Sequence, residues 1–360
     1  MAYQRVLNPR AYLNMIDPML INGKMSVTSG SFSNSDIAMA GLSTSQSDAL
    51  QLFDNNPSNT VNLGGKIAST THYIKIDTHF TPSDTLLGET MFIAILNHNF
   101  HSAGAGFRVQ LSDNSGFTST DAGSGGDVVV TPTMTEVCNA VRDTSSHYME
   151  PDKNGWSLVT YSAALSGNLA NNRFQRIAIT PNSSTYSNNI EIGCIVWGIV
   201  YDFPQSPDLK ITKSFIQKGI KKSESLGGQV YAHATHTGNP AWLNTHDPWS
   251  NSNAAEGAQT SFKSGKKAID MSFSYMADTN LFTEKMYNVN NTTSDDSLVS
   301  RLVWFTNNGM HPLILQYDNS DVTDLDGDDG FLFCRLNNTP QYEQVAHRQY
   351  STQLSFLEEF

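Results

Sequence analysis

Phe92-Ile93-Ala94-Ile95-Leu96-Asn97-His98-Asn99-Phe100-His101-Ser102-Ala103-Gly104-Ala105-Gly106 is the stretch that decides the fold class. A continuous apolar run stops at a polar Asn-His-Asn step and passes into a turn of small residues. Phe107, Val109 and Leu111 follow in strict alternation. An unbroken apolar run of strand length reads as a strand buried on both faces, and an alternating one as a strand with one buried and one open face. Joined by a polar elbow, the two predict a β-sandwich element.

Composition agrees. Charged residues make up 16 % of the 360-residue chain, against about 25 % in an average globular protein. Asn, Ser, Thr and Gly fill the deficit, and these residues form turns and solvate a surface without charge. An apolar fraction of 39 % with 18 Phe supplies a core and argues against disorder. The length favours two domains over one. A net charge of −12 repels phosphate backbones, and no basic, aromatic-interleaved face offsets it, so nucleic acid is not an expected ligand. Cys138, Cys194 and Cys334 are sparse, odd in number and form no CxxC pair, as in a chain made in a reducing compartment. The N-terminus lacks a signal-peptide apolar region, and the run Cys194–Val200 is far short of the roughly 20 residues a spanning helix needs. A soluble protein without membrane insertion is expected.

The chain divides into three parts. Residues 1–27 read as an N-terminal arm, with one or two helical turns over Arg10–Asp17 closed by Pro18. Residues 28–204 read as a β-sandwich domain, with strands at His72–Asp77, Met91–Leu96, Phe107–Leu111, Val128–Val130, Trp156–Tyr161, Phe174–Ile179 and Ile192–Tyr201. Met134–Val141 has room for a helical turn or two. Pro204 and Pro207 disfavour both helix and ladder pairing and mark a boundary. Residues 205–360 form a second β-rich domain. It opens on a lysine-dense strand (Lys210, Lys213, Lys218, Lys221 and Lys222) and continues with the alternating Ile269, Met271, Phe273 and Tyr275. A short helix at Leu281–Tyr287 and strands at Leu298–Phe305, Leu313–Tyr317 and Phe331–Leu336 complete it. The class is therefore all-β, with two jelly-roll-like sandwiches and a short arm. No repeat of the length used by solenoids or propellers is visible.

Two passages carry a resemblance. The elbow around Asn97-His98-Asn99 is similar to the "hydrophobic strand, then His-Asn, then small residues" pattern of tail-associated virion proteins of bacteriophages, whose modules resemble galactose-binding-like sandwiches. Asp208-Leu209-Lys210-Ile211, Gly219-Ile220-Lys221, Ser225-Leu226-Gly227-Gly228-Gln229 and Gly238-Asn239-Pro240-Ala241-Trp242 follow in an order that resembles phage virion proteins. Pro312-Leu313-Ile314-Leu315-Gln316-Tyr317-Asp318 fits the same pattern. The matches cover residues 90 to 335 thinly. The resemblance implies a non-enzymatic structural protein of a tail, baseplate or fibre-attachment apparatus, made in the host cytoplasm and located in the virion. Its partners would be other virion proteins and copies of itself. The alternatives are a carbohydrate-binding, receptor-contacting module that meets a host surface glycan, and a head decoration protein.

Candidate chemistry is thin. His233, His236 and His246 with Asp247 offer imidazole and carboxylate for a transition metal, but residues 233 and 236 of an extended strand point to opposite faces. Asp324, Asp326 and Asp328 keep the 1, 3, 5 spacing of a calcium loop. Asp329 at the sixth position and Arg335 at the twelfth exclude an EF-hand, which leaves a looser Ca²⁺ site or, preferred, a solvated hairpin loop. No cofactor is therefore expected. His98 and His101 read as structural groups at the strand exit, since no nucleophile elbow or His-Glu-x-x-His helix is present. Glu136, Glu191, Asp202 and Glu256 are too scattered to place a glycosidase pair. Trp156, Trp242 and Trp249 are candidates for stacking on sugar rings. Leu13, Ile16 and Leu20 of the arm, with the lysine strand, are the expected partner contacts, although edge lysines also protect against aggregation.

Overall fold

The computed structural model describes residues 8–21, 23, 25–29, 37–40, 50–79, 90–112, 115–117, 128–129, 141–142, 148–151, 154–162, 173–216, 220–234, 266–282, 297–317 and 330–359. In chain order the strands begin with β1 (Arg10–Asn14), β2 (Val27–Ser29), β3 (Ile37–Ala40), β4 (Val61–Gly64), β5 (His72–Asp77) and β6 (Thr90–His98). Then come β7 (Ala105–Ser112), β8 (Val128–Val129), β9 (Val141–Arg142), β10 (Met149–Glu150), β11 (Gly155–Ser162), β12 (Phe174–Pro181), β13 (Ile190–Ile192) and β14 (Cys194–Asp202). The last are β15 (Ile211–Ile216), β16 (Ile220–Glu224), β17 (Val230–Ala234), β18 (Lys266–Ala277), β19 (Leu313–Gln316), β20 (Phe331–Leu336), β21 (Tyr342–Ala346) and β22 (Gln349–Glu358). Among the described residues helix is found at α1 (Ile16–Ile21), α2 (Phe100–Ala103), α3 (Asp278–Leu281) and a π-type α4 (Val299–Trp304), with helical backbone also at residues 50–51. The fold is mostly β, as the sequence predicts.

A ten-stranded sheet runs β11-β6-β14-β1-β19-β20-β22-β18-β15, with β21 added to β22. An eight-stranded sheet runs β2-β3-β5-β12-β7-β10-β9, with β8 added to β7. Pairing is antiparallel except between β2 and β3. Two further pairs, β4–β13 and β16–β17, complete the described strands.

The alternation in β6 explains the layering. Met91, Ile93 and Ile95 enter one apolar cluster with Phe107, Val109 and Leu111 of β7 and Ile177 and Ile179 of β12, which fills the space between the two sheets. Phe92, Ala94 and Leu96 project to the other face of the large sheet, into a second cluster with Tyr12, Trp156, Leu158 and Phe333. Both faces of β6 are buried, and its apolar run has no polar position to spare. Each fully buried side chain of this size contributes about 1.5–3 kcal/mol. A buried polar chain crosses the sandwich: Trp197 Nε1 donates to Tyr161 O–H (2.6 Å), which donates to Gln175 Oε1 (2.7 Å). It ties β14 and β11 of the large sheet to β12 of the small one. Buried networks of this kind select one packing because every member needs its partner.

The elbow is a set of caps. Asn97 takes the left-handed conformation (φ 54°), which Asn tolerates better than most residues, and its Nδ2 donates to the Pro57 carbonyl (2.7 Å). Asn99 Nδ2 donates to the Asn189 carbonyl (2.8 Å), while its Oδ1 accepts from Glu191 N–H (2.9 Å). The small-residue turn is α2, closed by Gly104 at φ 63°. A glycine here ends the helix without the steric cost a side chain would add.

Several expectations are corrected. Arg10–Asn14 is a strand, every residue of it buried, between β14 and β19. The described part of the first 27 residues, from Arg10 on, is therefore built into the fold and is not a detachable arm. The helix begins later, at Ile16, where Asn14 Oδ1 accepts from Ile16 and Asp17 N–H (3.0 and 3.3 Å), and Pro18 sits in the first turn, where its missing N–H costs nothing. The break at Pro204–Pro207 is a passage of the chain and not an edge of the sheet: β14 before it and β19 after it both pair with β1. Leu298–Phe305 is helical instead of extended, because Leu298, Val299 and Leu302 share a buried side while Trp304 is exposed. The helix expected at Leu281–Tyr287 lies one turn earlier, at α3, and residues 283–287 lie outside the described residues, as do 134–140.

Candidate functional site

Of the nucleophiles and bases that the sequence offers, His98, Cys194 and Cys334 are locked in the core. His98 is buried. Its Nε2 lies 2.8 Å from Ser157 Oγ, its Nδ1 accepts from Phe100 N–H (3.3 Å), and the ring stacks on Phe100. Acceptance at Nδ1 assigns the proton to Nε2, so the ring is neutral. Desolvation holds its pKa down at about 3. It is a structural elbow, as the sequence suggests. Burial likewise pushes the Cys194 and Cys334 thiols well above their ordinary value, which leaves both as small core residues. His101 is exposed and lies 3.3 Å from the Pro151 carbonyl. Of the scattered carboxylates, Asp202 is held bidentate by Arg10 (2.6 and 3.1 Å), Glu191 is exposed, and Glu136 and Glu256 lie outside the described residues. Asp202 and Arg10 form a cross-strand pair between β14 and β1, not half of a catalytic couple.

The metal candidates fall largely outside the described residues. Asp324, Asp326 and Asp328 do, as do His236, His246 and Asp247, and only the backbone of His233 is described, in β17. Among the described residues no group of three His, Cys, Asp or Glu is placed to hold an ion. Trp156 is corrected as a sugar platform: it is buried and packs edge-on against Phe331 (5.4 Å) in the second core cluster. Trp242 and Trp249 lie outside the described residues. Leu13 and Ile16 are core residues and Leu20 packs against the core, so none of the three is an exposed partner contact.

What remains accessible is an edge. Among the described residues β15 ends the ten-stranded sheet, paired with β18 on one side only. Its residues Thr212–Phe215 are exposed, Phe215 at 67 %, and Leu209 just before it at 94 %. The lysines divide between two elements. Lys210 and Lys213 lie on or beside this edge, Lys221 and Lys222 are exposed on β16 of the separate β16–β17 pair, and Lys218 lies outside the described residues. One continuous lysine strand is therefore replaced by two short basic elements.

Beside the edge is a cavity of about 210 Å³ lined by Lys213, Phe215, Lys267, Tyr317 and Phe331. Lys213 Nζ donates to Tyr317 O–H (3.0 Å) and lies 4.2 Å from its ring centre. Tyr317 and Gly330 are the described residues on either side of the acidic stretch Asp318–Asp329, and Tyr317 N–H donates to the Gly330 carbonyl (2.9 Å). Tyr317, which borders that stretch, is thus the partner of Lys213. Nothing in local pattern joins residue 213 to residue 317.

A second feature went unread. On the outer face of the small sheet, Arg176 stacks over Tyr73 (4.5 Å) and Phe117 (4.1 Å), and Arg108 over Tyr148 (4.6 Å). Lys75 is opposite Arg176 in the ladder, and burial followed by that neighbour's charge lowers its pKa. The only local signal was alternation: Tyr73, Lys75 and Asp77 share one face. No family model, curated protein or solved structure matches this chain.

Proposed function

We propose that this chain is a non-enzymatic structural protein of a phage virion, in the tail, baseplate or fibre-attachment apparatus. It joins copies of itself and neighbouring virion proteins through the open edge of β15. The observation that carries the assembly reading is that edge: a strand with one side unpaired among the described residues, bearing exposed Phe215 and flanked by Leu209, Lys210 and Lys213. An edge strand is a template for a strand from another chain. The main chain would supply the ladder, Phe215 the apolar contact, and the lysines the steering. Each exposed ion pair adds only about 0–1 kcal/mol, and a second copy, with net charge −12, brings the opposite sign. The virion setting comes from the phage resemblance of the elbow and of the later passages.

The test has two arms. Sedimentation velocity of the purified full chain should show concentration-dependent assembly, and Phe215→Lys, an exposed change that adds charge to the edge, should leave a folded monomer. A parent chain that stays monomeric at every concentration, or a variant that assembles at the parent rate, overturns the edge. Mass spectrometry and a density map of particles whose genome encodes the chain should find it in the tail apparatus. Density on the head surface would instead support the decoration alternative, and absence from the particle overturns the virion reading.

A further inference from the structure

A wide cleft of about 820 Å³ opens on the face of β18, β22 and β21. The ladder fixes which side chains floor it. Ser272 is opposite Gln353, and Glu343 is opposite Ser351; cross-strand partners share a face, so these four project together. Phe273, next along β18, turns the other way and stacks on Phe203 in the core (5.6 Å). One wall is the β20–β21 connection. Asn338 Nδ2 donates to the Gln353 carbonyl (2.9 Å) and its Oδ1 accepts from Ser355 N–H (2.8 Å). The opposite wall, Ser274, donates through Oγ to Asp208 (2.8 Å). The walls are held by the protein's own bonds, while the exposed groups of the floor face solvent.

The chemistry of this lining is narrow. Beside the aromatic Phe273 and Tyr342 it is built of hydroxyls and amides with one carboxylate, Glu343, and contains no Lys, Arg or His. An anion finds no cation there and meets Glu343. An apolar ligand would strand the hydroxyls and amides without partners. A ligand rich in hydroxyls that both donate and accept matches Ser, Gln and Glu at every point.

We propose that this cleft binds a short neutral oligosaccharide, with Gln353, Ser351 and Glu343 holding its hydroxyls. Phe215, the residue tested at the assembly edge, is not part of the cleft lining, so the two readings are tested independently. The full chain is to be screened on an array of neutral and charged microbial and host-surface glycans, and the hits titrated as free oligosaccharides by saturation-transfer NMR. Binding of a neutral glycan is expected, weakened about tenfold or more by Gln353→Ala and by Glu343→Gln, the order of one lost hydrogen bond to a charged or polar group. Gln353 and Glu343 are exposed, so unfolding midpoints should stay at the parent value and separate lost binding from lost fold. Phe215→Lys should bind as the parent does. No hit among the neutral glycans, hits confined to charged ones, or affinities unchanged in both variants would each overturn the proposal.

Discussion

The β6–β14–β1 centre of the large sheet and its β15 margin are built from the same backbone pattern with opposite side-chain economies. At the centre, Met91–Leu96 and Cys194–Ile199 bury both faces, apart from Gly198, which has no side chain to offer. At the margin, Thr212–Phe215 are exposed. The centre holds its strands by packing, so its polar groups must be matched one by one, as at His98 and along the Trp197–Tyr161–Gln175 chain. The margin has no such requirement and tolerates lysine, serine and an exposed phenylalanine side by side. Stability is concentrated where chemistry is shut out, and contact with other molecules is left to the parts that contribute least to the fold.

The largest expected effect is at the centre. Gly198 pairs with Asn14 of β1, and a Cβ there would fall on the Leu13 carbonyl and crowd Met15 N–H. Gly198→Val should therefore cost about 3 kcal/mol or more, at or above the upper end of overpacking effects, and abolish soluble expression or drop the urea midpoint sharply. A variant with the parent midpoint would break the distinction between centre and margin.

The next effect sharpens it through pH. The ordinary His pKa of 6.5 is held at about 3 in the fold, so the unfolded chain takes up a proton first as pH falls. The stability that depends on a neutral ring is complete above about pH 6.5 and is lost progressively down to about pH 3. By pH 4 the loss from this residue alone is about 3 kcal/mol. Urea unfolding from pH 8 to pH 4 should show that slope in the parent and lose this part of it in His98→Gln. Equal slopes would mean that the imidazole does not carry the effect.

The smallest effect belongs to the margin. Lys221→Glu with Lys222→Glu, both exposed on β16, should move the unfolding midpoint by no more than about 0.5 kcal/mol. Assembly should slow only at low salt, where surface charge reaches furthest. A large loss of stability would show that the β16–β17 pair is part of the core.

Much of the fold is legible where a strand shows alternation or an unbroken apolar run. His72–Asp77, Phe174–Ile179 and Ile269–Tyr275 fall inside observed strands, because burial on one face or both imposes its own period. Arg10–Asn14 was not legible as a strand: Arg-Ala-Tyr-Leu-Asn suits a helical turn equally well, and what makes it extended is pairing with residues near 200 and 315. Leu298–Phe305 failed for the opposite reason, since a short apolar run has no period of its own and packing decides. The C-terminal pair β21–β22 is mixed in polarity and left little trace. Of the accessible surface, the lysines were visible, but that Lys210 and Lys213 border a sheet edge while Lys221 and Lys222 sit on another pair depends on register. The cleft was invisible because Ser272, Glu343 and Gln353 are unremarkable until the ladder sets them together.

The place of β1 also sets a timetable. Arg10–Asn14 is synthesised well before its two ladder partners, Gly198–Asp202 and Leu313–Gln316. At bacterial or eukaryotic rates of translation the second partner follows roughly 15 to 60 s later. Throughout that interval a strand whose every residue is buried in the finished fold waits without its neighbours, and the two halves of the sheet cannot be joined. Contacts so distant along the chain are slow to form, so the seam closes late, and a nascent chain interrupted before residue 313 carries an unfilled slot at the middle of its sheet. A chaperone that shields the N-terminal segment during synthesis should raise the yield of folded protein more than one that acts after release.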